Sequence, residues 1–392
     1  MKTVLLGDIC TRVTSGGTPS TRKPEFYDGN IPWLRTQEIN FGRIYSTEKT
    51  ITEAGVKGSS AKLIPKNSVI VAMYGATAGK VAINKIPLTT NQACCNLIIN
   101  PSEADYEYVY YYLLSNYERL LGSATGAAQQ NLGTKQIAAM SIFLPRLSGQ
   151  KAIANILGKI DKKIEVNRRM NETLEQIGQA LFKRYFIDNP ESKTWPRGKL
   201  GDILQALESG SRPKGGALDS GVPSVGAENI EGLGIYDYSK EKYVSEELFN
   251  NLQQGIIESE DVLLYKDGAY VGKKSLFMDG FPHKKCCVNE HVFILRTNDK
   301  LPSQFYLYFW LDQEEITRQI IDSGVKAAQP GINQANVRNL HVLLPSIKNI
   351  AEFNELVRPI MKKLFLNANQ ARELSKLRDS LLPRLISGKI KI

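Results

Sequence analysis

A seam of apolar residues occurs twice in this 392-residue chain, at a fixed separation of 200 positions. Between residues 150 and 186 it runs Ile153, Leu157, Ile160 and Ile164, then Leu174, Ile177 and Leu181. Between residues 349 and 386 the same places hold Phe353, Val357, Ile360 and Leu364, then Leu374, Leu377 and Leu381. Steps of three and four give the 3.5-residue period of helices that pack along their length. Asn167 and Asn367 fall on the same seam, where a polar residue fixes register at some cost in stability. At 1.5 Å per residue each helix is expected to be roughly 50 Å long. Two helices sharing one seam, the first leading away from one lobe and the second returning, lie antiparallel.

The repeat extends beyond the helices. Leu6-Gly7-Asp8-Ile9 recurs as Leu200-Gly201-Asp202-Ile203, and Ser15-Gly16-Gly17-Thr18-Pro19 as Ser209-Gly210-Ser211-Arg212-Pro213. Gly75-Ala76 with Gly79-Lys80 recurs as Gly268-Ala269 with Gly272-Lys273, and Asn91-Gln92 as Asn289-Glu290. Ala127-Ala128-Gln129 recurs as Ala327-Ala328-Gln329, and Leu144-Pro145 as Leu344-Pro345. The order never changes, so the chain is a tandem duplication. Runs such as Ser68 to Met73 and Asp261 to Tyr265 read as strands between Gly, Pro and Asn turns. The aromatic segments Tyr106 to Leu121 and Ser303 to Ile321 read as helices whose stripe belongs to the core.

The expected architecture is α+β. Two tandemly repeated α/β domains, residues 1–148 and 189–346 (the second opening with a linker, 189–197), alternate with helices over 149–188 and 347–392. Those helices form an antiparallel coiled-coil spacer, with pseudo-two-fold symmetry relating the domains.

Five cysteines are too few for a disulfide framework, and neither Cys94-Cys95 nor Cys286-Cys287 has zinc-site spacing. They read as reduced, half-buried strand residues of an intracellular, cytoplasmic protein. The first ten residues turn polar too soon for a signal peptide, and no apolar run reaches the length of a membrane span. The formal net charge is +10, carried mostly by the first half, which points to a polyanionic partner.

Catalytic signatures are missing. The histidines His283, His291 and His341 are unclustered, and no nucleophile elbow occurs. Gly75 to Lys80 has too few residues between its glycines for a phosphate loop, and Val81 stands where Ser or Thr would hold magnesium. No glycine-rich cofactor signature is present. A binding protein fits better, with two lobes contacting two short segments of one long ligand.

Nucleic acid suits the loop residues. Arg12, Arg22, Lys23, Arg35 and Arg43 in the first lobe, and Arg212, Lys214, Lys273 and Lys274 in the second, are placed to neutralise phosphates. Gln37, Gln129, Gln130, Asn131, Gln329 and Asn333 have the amides that read adenine edges. Ser15, Thr18, Tyr74, Lys80 and Ser211, in or beside the repeated motifs, complete the candidate set. Glycines and core positions match between the lobes while surface residues differ, as two readers of different sequences require. Two other readings fit the residues alone: a duplicated adaptor bridging two proteins, and a methyltransferase fragment with an unrecognised cofactor site.

Several stretches carry a family resemblance over nearly the whole chain. They are Ser15 to Pro19 with Ile31-Pro-Trp-Leu-Arg35, the helix start Gln150 to Leu157, Asp161 to Asn171, Leu174 through Phe186, and Leu377 through Ile390. Together they resemble the specificity (S) subunit of type I restriction-modification systems. The second lobe departs from the pattern, with Val222-Pro-Ser224 lacking the Trp and Asn349 to Phe353 a looser helix start. The resemblance implies that each lobe is a target recognition domain reading one half-site of double-stranded DNA. It implies that the helices set the spacing and dock methyltransferase (M) subunits, joined by restriction (R) subunits. It also implies no active site here: S-adenosylmethionine, ATP and Mg2+ belong to the partner subunits.

Overall fold

Val69-Ile-Val-Ala72 is apolar on both faces and buried throughout, the pattern of a strand covered on both sides. It occupies the centre of a five-stranded sheet. In chain order the strands are β1 (Cys10–Ser15), β2 (Gly42–Ile44), β3 (Val69–Ala72), β4 (Val81–Asn84) and β5 (Cys94–Ile99), arranged β1-β5-β3-β4-β2. Only β2 and β4 run parallel. Helix α1 (Tyr106–Ser115) starts where the Asp105 carboxylate accepts from the Glu107 and Tyr108 amides, both at 3.0 Å. Its Tyr108, Tyr110 and Tyr111 are fully buried, so the aromatic stripe is core. The single helix expected to Leu121 is two, because Asn116 turns its amide back onto the Tyr112 carbonyl at 2.8 Å.

This computed structural model describes residues 2–122, 131–213, 215–325, 331–390 and 392. Two units divide the chain: Met1–Lys162 with Ser375–Ile392, and Lys163–Leu374. The division falls inside the two long helices, α2 (Leu147–Phe182) and, following α3 (Gln304–Leu311), α4 (Ile347–Ile386).

The second unit repeats the first in its own sheet. Strands β6 (Leu204–Ser209), β7 (Val262–Tyr265), β8 (Lys274–Leu276) and β9 (Val292–Thr297) are ordered β6-β9-β7-β8, all antiparallel, with α3 (Gln304–Leu311) in the same core. Each unit has a further three-stranded sheet, built around Tyr27–Leu34 in the first and Val222–Val225 in the second. The duplicated Leu-Gly-Asp-Ile and Leu-Pro motifs flank equivalent two-stranded pairings, Lys2–Leu5 with Ser141–Leu144 and Arg197–Lys199 with His341–Leu343.

Each unit takes part of both long helices. In the first, Ile153, Ala154 and Leu157 of α2 share a core with Leu382, Leu385 and Ile386 of α4. In the second, Phe182 packs on Phe353 with ring centroids 6.0 Å apart, and Val357, Met361, Leu364 and Ala368 continue the buried face. There Asn167 meets Asn367 and Asn171 meets the Leu364 carbonyl, so the number rises on one helix as it falls on the other, and the two run antiparallel. Within the second unit the two helices therefore meet around Asn167 and Asn367, while other expected seam positions lie differently. Ile177 and Leu377 are 43% and 47% exposed; Gly178 and Phe182 carry the inner face of α2, and Leu382 is buried beside a half-buried Leu381. The 4-3 alternation that runs through Ile160, Ile164 and Asn167 continues through Asn171 and Leu174 to Gly178, so Ile177 lies one residue off the seam although it is the apolar side chain. Ile160, Ile164, Leu174, Leu181, Ile360 and Leu374 are half-buried. Helix α4 also contains Pro359 as well as Pro383, and it passes through both.

The vicinal cysteine pairs are free thiols, fully buried rather than half-buried. Burial pushes the Cys95 and Cys286 thiols up to about 12. No helix is long and apolar enough to cross a membrane, and no group of three or more His, Cys, Asp or Glu could hold a metal ion, both among the described residues.

Candidate nucleic-acid interface

The repeated motifs converge at one end of the sheet in each unit. In the first, β1 ends at Ser15, β3 ends at Ala72 and β5 begins at Cys94, so their loops emerge together. Gly16 must be glycine, because a Cβ would stand 2.0 Å from the Thr90 carbonyl oxygen. The Gly17 amide donates to that same oxygen at 2.9 Å, and the Trp33 indole donates to the Gly17 carbonyl at 3.0 Å. That bond explains why Ile31-Pro-Trp-Leu-Arg35 accompanies Ser15 to Pro19. The Met73 amide donates to Ala93 O at 2.8 Å and the Leu132 amide to Met73 O at 2.9 Å, which brings Asn131 beside Tyr74.

The second unit builds the same frame. A Cβ on Gly210 would stand 1.7 Å from the Val288 carbonyl oxygen. The Lys266 amide donates to His291 O at 3.0 Å, and the Ile332 amide to Lys266 O at 2.8 Å. Asn91 and Asn289 make the same local turn, each side-chain oxygen accepting from the amide two residues on, at 3.2 and 2.9 Å. The glycine loops match as well: Ala72 N to Lys80 O at 2.9 Å answers Tyr265 N to Lys273 O at 2.8 Å. Gly75, Gly79, Gly268 and Gly272 all take positive φ, from 64° to 86°. These glycines turn a strand connection and enclose no phosphate-loop helix.

Onto these frames the first unit brings Ser15, Thr18, Arg35, Gln37, Tyr74, Lys80 and Asn131. The Thr18 hydroxyl donates to Gln92 Oε1. Arg35 is held by Glu38, at 3.7 Å, and by Glu48, and the Gln37 amide oxygen, oriented toward it, accepts from its guanidinium at 3.0 Å. Lys80 donates to Asn40 Oδ1 at 2.8 Å, and Tyr74 is 41% exposed. Arg12 lies on β1 with its guanidinium on the Leu63 carbonyl at 3.3 Å. Arg22 and Lys23 are exposed in the turn before Phe26, Lys23 lying 5.0 Å above its ring.

In the second unit Ser211 and Arg212 are exposed, and Arg212 Nε stands 3.7 Å from Glu290. Lys273 lies 3.4 Å from Glu231 and 4.9 Å above the Tyr270 ring. Asn333 caps the short helix Gln334–Arg338, its oxygen accepting from Asn336 N at 2.9 Å. Gln129, Gln130, Lys214 and Gln329 lie outside the described residues, as do the repeated Ala-Ala-Gln motifs.

Two expected phosphate contacts are internal instead. Arg43 donates to Asp161 at 2.9 Å and to the Tyr111 hydroxyl at 3.0 Å, with only 14% of its side chain exposed. Asp161 also accepts from Arg378 at 3.1 Å, so the group ties β2 to both long helices within the first unit. Lys274 is 10% exposed, donates to Thr317 at 2.9 Å and faces Asp312 at 3.5 Å. Burial lowers its ammonium below the ordinary lysine value. Both positions carry charge of the right sign, but they sit where the chain turns inward, which composition alone does not reveal.

Sequence reasoning passed over Asp267, Glu290, His291 and Gln92. His291 Nδ1 is 2.7 Å from Asp267 and its Nε2 is 3.4 Å from Glu290. The signal was available: Gln92 and Glu290 occupy the same place in a repeated motif and differ in charge.

The chain matches the family described as type I restriction modification DNA specificity domain twice, over residues 1–176 and 192–371. It is 28% identical to the type I restriction enzyme MjaIX specificity subunit of Methanocaldococcus jannaschii, covering 97% of this chain and 91% of that one. It is 25% identical to the EcoprrI specificity subunit of Escherichia coli, covering 93% and 88%. Its fold is similar to the S subunit of a type I restriction-modification system from M. genitalium, with a TM-score of 0.62, 17% identity, and 98% and 95% of the two chains covered. With two family domains in tandem on duplicated loop frames, this chain belongs to the type I restriction-modification specificity subunits.

Proposed function

We propose that this chain is the sequence-reading subunit of a methyltransferase/endonuclease complex and recognises a two-part site in double-stranded DNA, one part through each unit. The observation that carries this is the pair of loop clusters: matching backbone frames that present different side chains. A single DNA reader needs one such frame, and here there are two. The basic balance of the chain supports a polyanionic ligand. In this reading α2 and α4 form a coiled-coil spacer that sets the gap between half-sites, and the two units are related by pseudo-two-fold symmetry.

The same helices dock M subunits, which R subunits then join. Ile156 and Leu356, Val166 and Leu366, and Ile177 and Leu377 support this: each pair is 200 positions apart, and all six are exposed and apolar. A duplicated apolar set suits two copies of one partner. S-adenosylmethionine, ATP and Mg2+ belong to those partners, the chain contributes no catalytic group, and the complex works in the cytoplasm.

The test is to co-express the chain with its M subunit in a host lacking other DNA methylation and to map modified adenines. A two-part motif with a fixed gap is expected. The purified complex should also lose DNA affinity steeply with salt, log K falling by about 0.9 per log unit of salt for each phosphate neutralised. Salt-insensitive partner binding with no footprint on DNA would overturn the reading in favour of a protein-bridging adaptor.

A further inference from the structure

The two loop frames differ at four places whose side chains pair with one another in the second unit. Thr18 and Gln92 are hydrogen-bonded in the first unit; the same two places in the second hold Arg212 and Glu290, an ion pair with Nε and Oε1 3.7 Å apart. Beside them Tyr74 and Ala93 of the first unit are replaced by Asp267 and His291, joined at 2.7 Å. The contacts that seat Tyr74 and Ala93, Met73 N to Ala93 O and Leu132 N to Met73 O, recur around Asp267 and His291 as Lys266 N to His291 O and Ile332 N to Lys266 O, so at these places the side chains change on a shared backbone. The side chains are accessible: Arg212 is 81% exposed, His291 45%, Asp267 39% and Glu290 30%.

We infer that these four places are the base-reading set of each unit, and that Arg212 with Glu290 selects a G·C pair in the second half-site where Thr18 with Gln92 selects an A·T pair in the first. The inference rests on the DNA-reading function proposed above. Its basis is the hydrogen-bonding inventory. Guanine shows two acceptors in the major groove beside the amino donor of its cytosine, whereas adenine shows one acceptor and one donor. Arginine only donates and ionised glutamate only accepts. Standing together, they match the guanine acceptors and the cytosine amino group. A glutamine amide donates and accepts at once, which matches adenine. Ala93 adds a methyl-sized apolar contact of the kind that meets thymine. Asp267 and Glu290 both face His291, at 2.7 and 3.4 Å, which links the two pairs.

The experiment starts from the two-part site methylated by the wild-type complex. Binding of the S–M complex is then measured on that duplex, on one with the second half-site G·C pair changed to A·T, and on one with the first half-site scrambled. Wild type should discriminate against the G·C change by roughly 10- to 100-fold. Arg212→Thr with Glu290→Gln should reduce that ratio to within about threefold, or reverse it, while discrimination at the first half-site stays intact. The replaced ion pair is exposed, so the fold is expected to survive. If the double variant also loses the first half-site, it has misfolded, and Glu290→Gln alone decides by the same ratio. An unchanged ratio, or a second half-site without a G·C pair, overturns the inference. A wild-type complex that yields no two-part motif brings down the proposed function itself.

Discussion

Asn167 and Asn367, at the same place in the two copies of the repeat, touch each other inside the second unit. Asn167 Nδ2 donates to the Asn367 carbonyl at 3.3 Å and to Gln370 at 2.9 Å, while Asn367 Nδ2 donates to Asn171 Oδ1 at 3.0 Å. The two are not equivalent in this contact. Asn167 Oδ1 is buried without a partner, whereas the Asn367 amide satisfies another buried group. Asn367→Ala should therefore cost about 1–3 kcal/mol, since it strips Asn171 of its donor. Asn167→Ala should cost less, because its own Oδ1 is already unsatisfied and the Gln370 side chain that loses its donor is exposed to water. Urea unfolding of the two variants checks the ranking.

Asp161 is shared by Arg43 and Arg378, whose side chains are 14% and 25% exposed. Asp161→Ala leaves two partly buried guanidinium groups without their common carboxylate, and a loss of about 3–5 kcal/mol is expected. Arg378→Met should cost clearly less, because Arg43 keeps its partner. Thermal denaturation of both variants gives the comparison.

Gly178 sits on α2 where a Cβ would come within 2.5 Å of the Phe309 ring. On an open helix surface Gly→Ala gains about 1 kcal/mol. Here Gly178→Ala should instead destabilise by about 1–2 kcal/mol, because a buried ring has to move. Adding Phe309→Leu should recover part of the loss, a coupling that a double-mutant cycle would read.

Glu175 accepts from the Tyr308 hydroxyl at 3.3 Å and is raised above the ordinary carboxyl value of 4.5 by burial, then by Asp312. The folded state thus holds this proton more tightly than the unfolded chain does. Its contribution is complete below the ordinary value and is lost as pH rises through the folded one. Glu175→Gln keeps an acceptor for Tyr308 and carries no charge. Its melting temperature should exceed wild type at pH 7 and match it near pH 4.

The duplication and the helical seam were legible because both are periodic, and a fixed offset survives divergence of the side chains. The strand Val69–Ala72 and the buried tyrosines of α1 were legible for the same reason, through apolar pattern and cap. Ile177 and Leu377 were misplaced because they are apolar, whereas the 4-3 alternation passes through Gly178, a residue with no side chain to mark it. The loop frames were legible in their glycines and their Asn91/Asn289 turns, which backbone geometry demands. Arg43 and Lys274 were misread because a cation's direction depends on which strand face it occupies, and a distant carboxylate such as Asp161 can claim it.

The separation of frame from side chain at the sheet end has a consequence for how such a chain changes over generations. Gly16, Gly210, Asn91 and Asn289 are bound by backbone geometry, so replacing them risks the fold. Thr18, Gln92, Arg212 and Glu290 project from that frame and carry little of its stability. Selection can therefore act on the two groups at different rates. The exposed side chains of one copy can change by single substitutions while those of the other stay as they were, and the protein stays folded at every step.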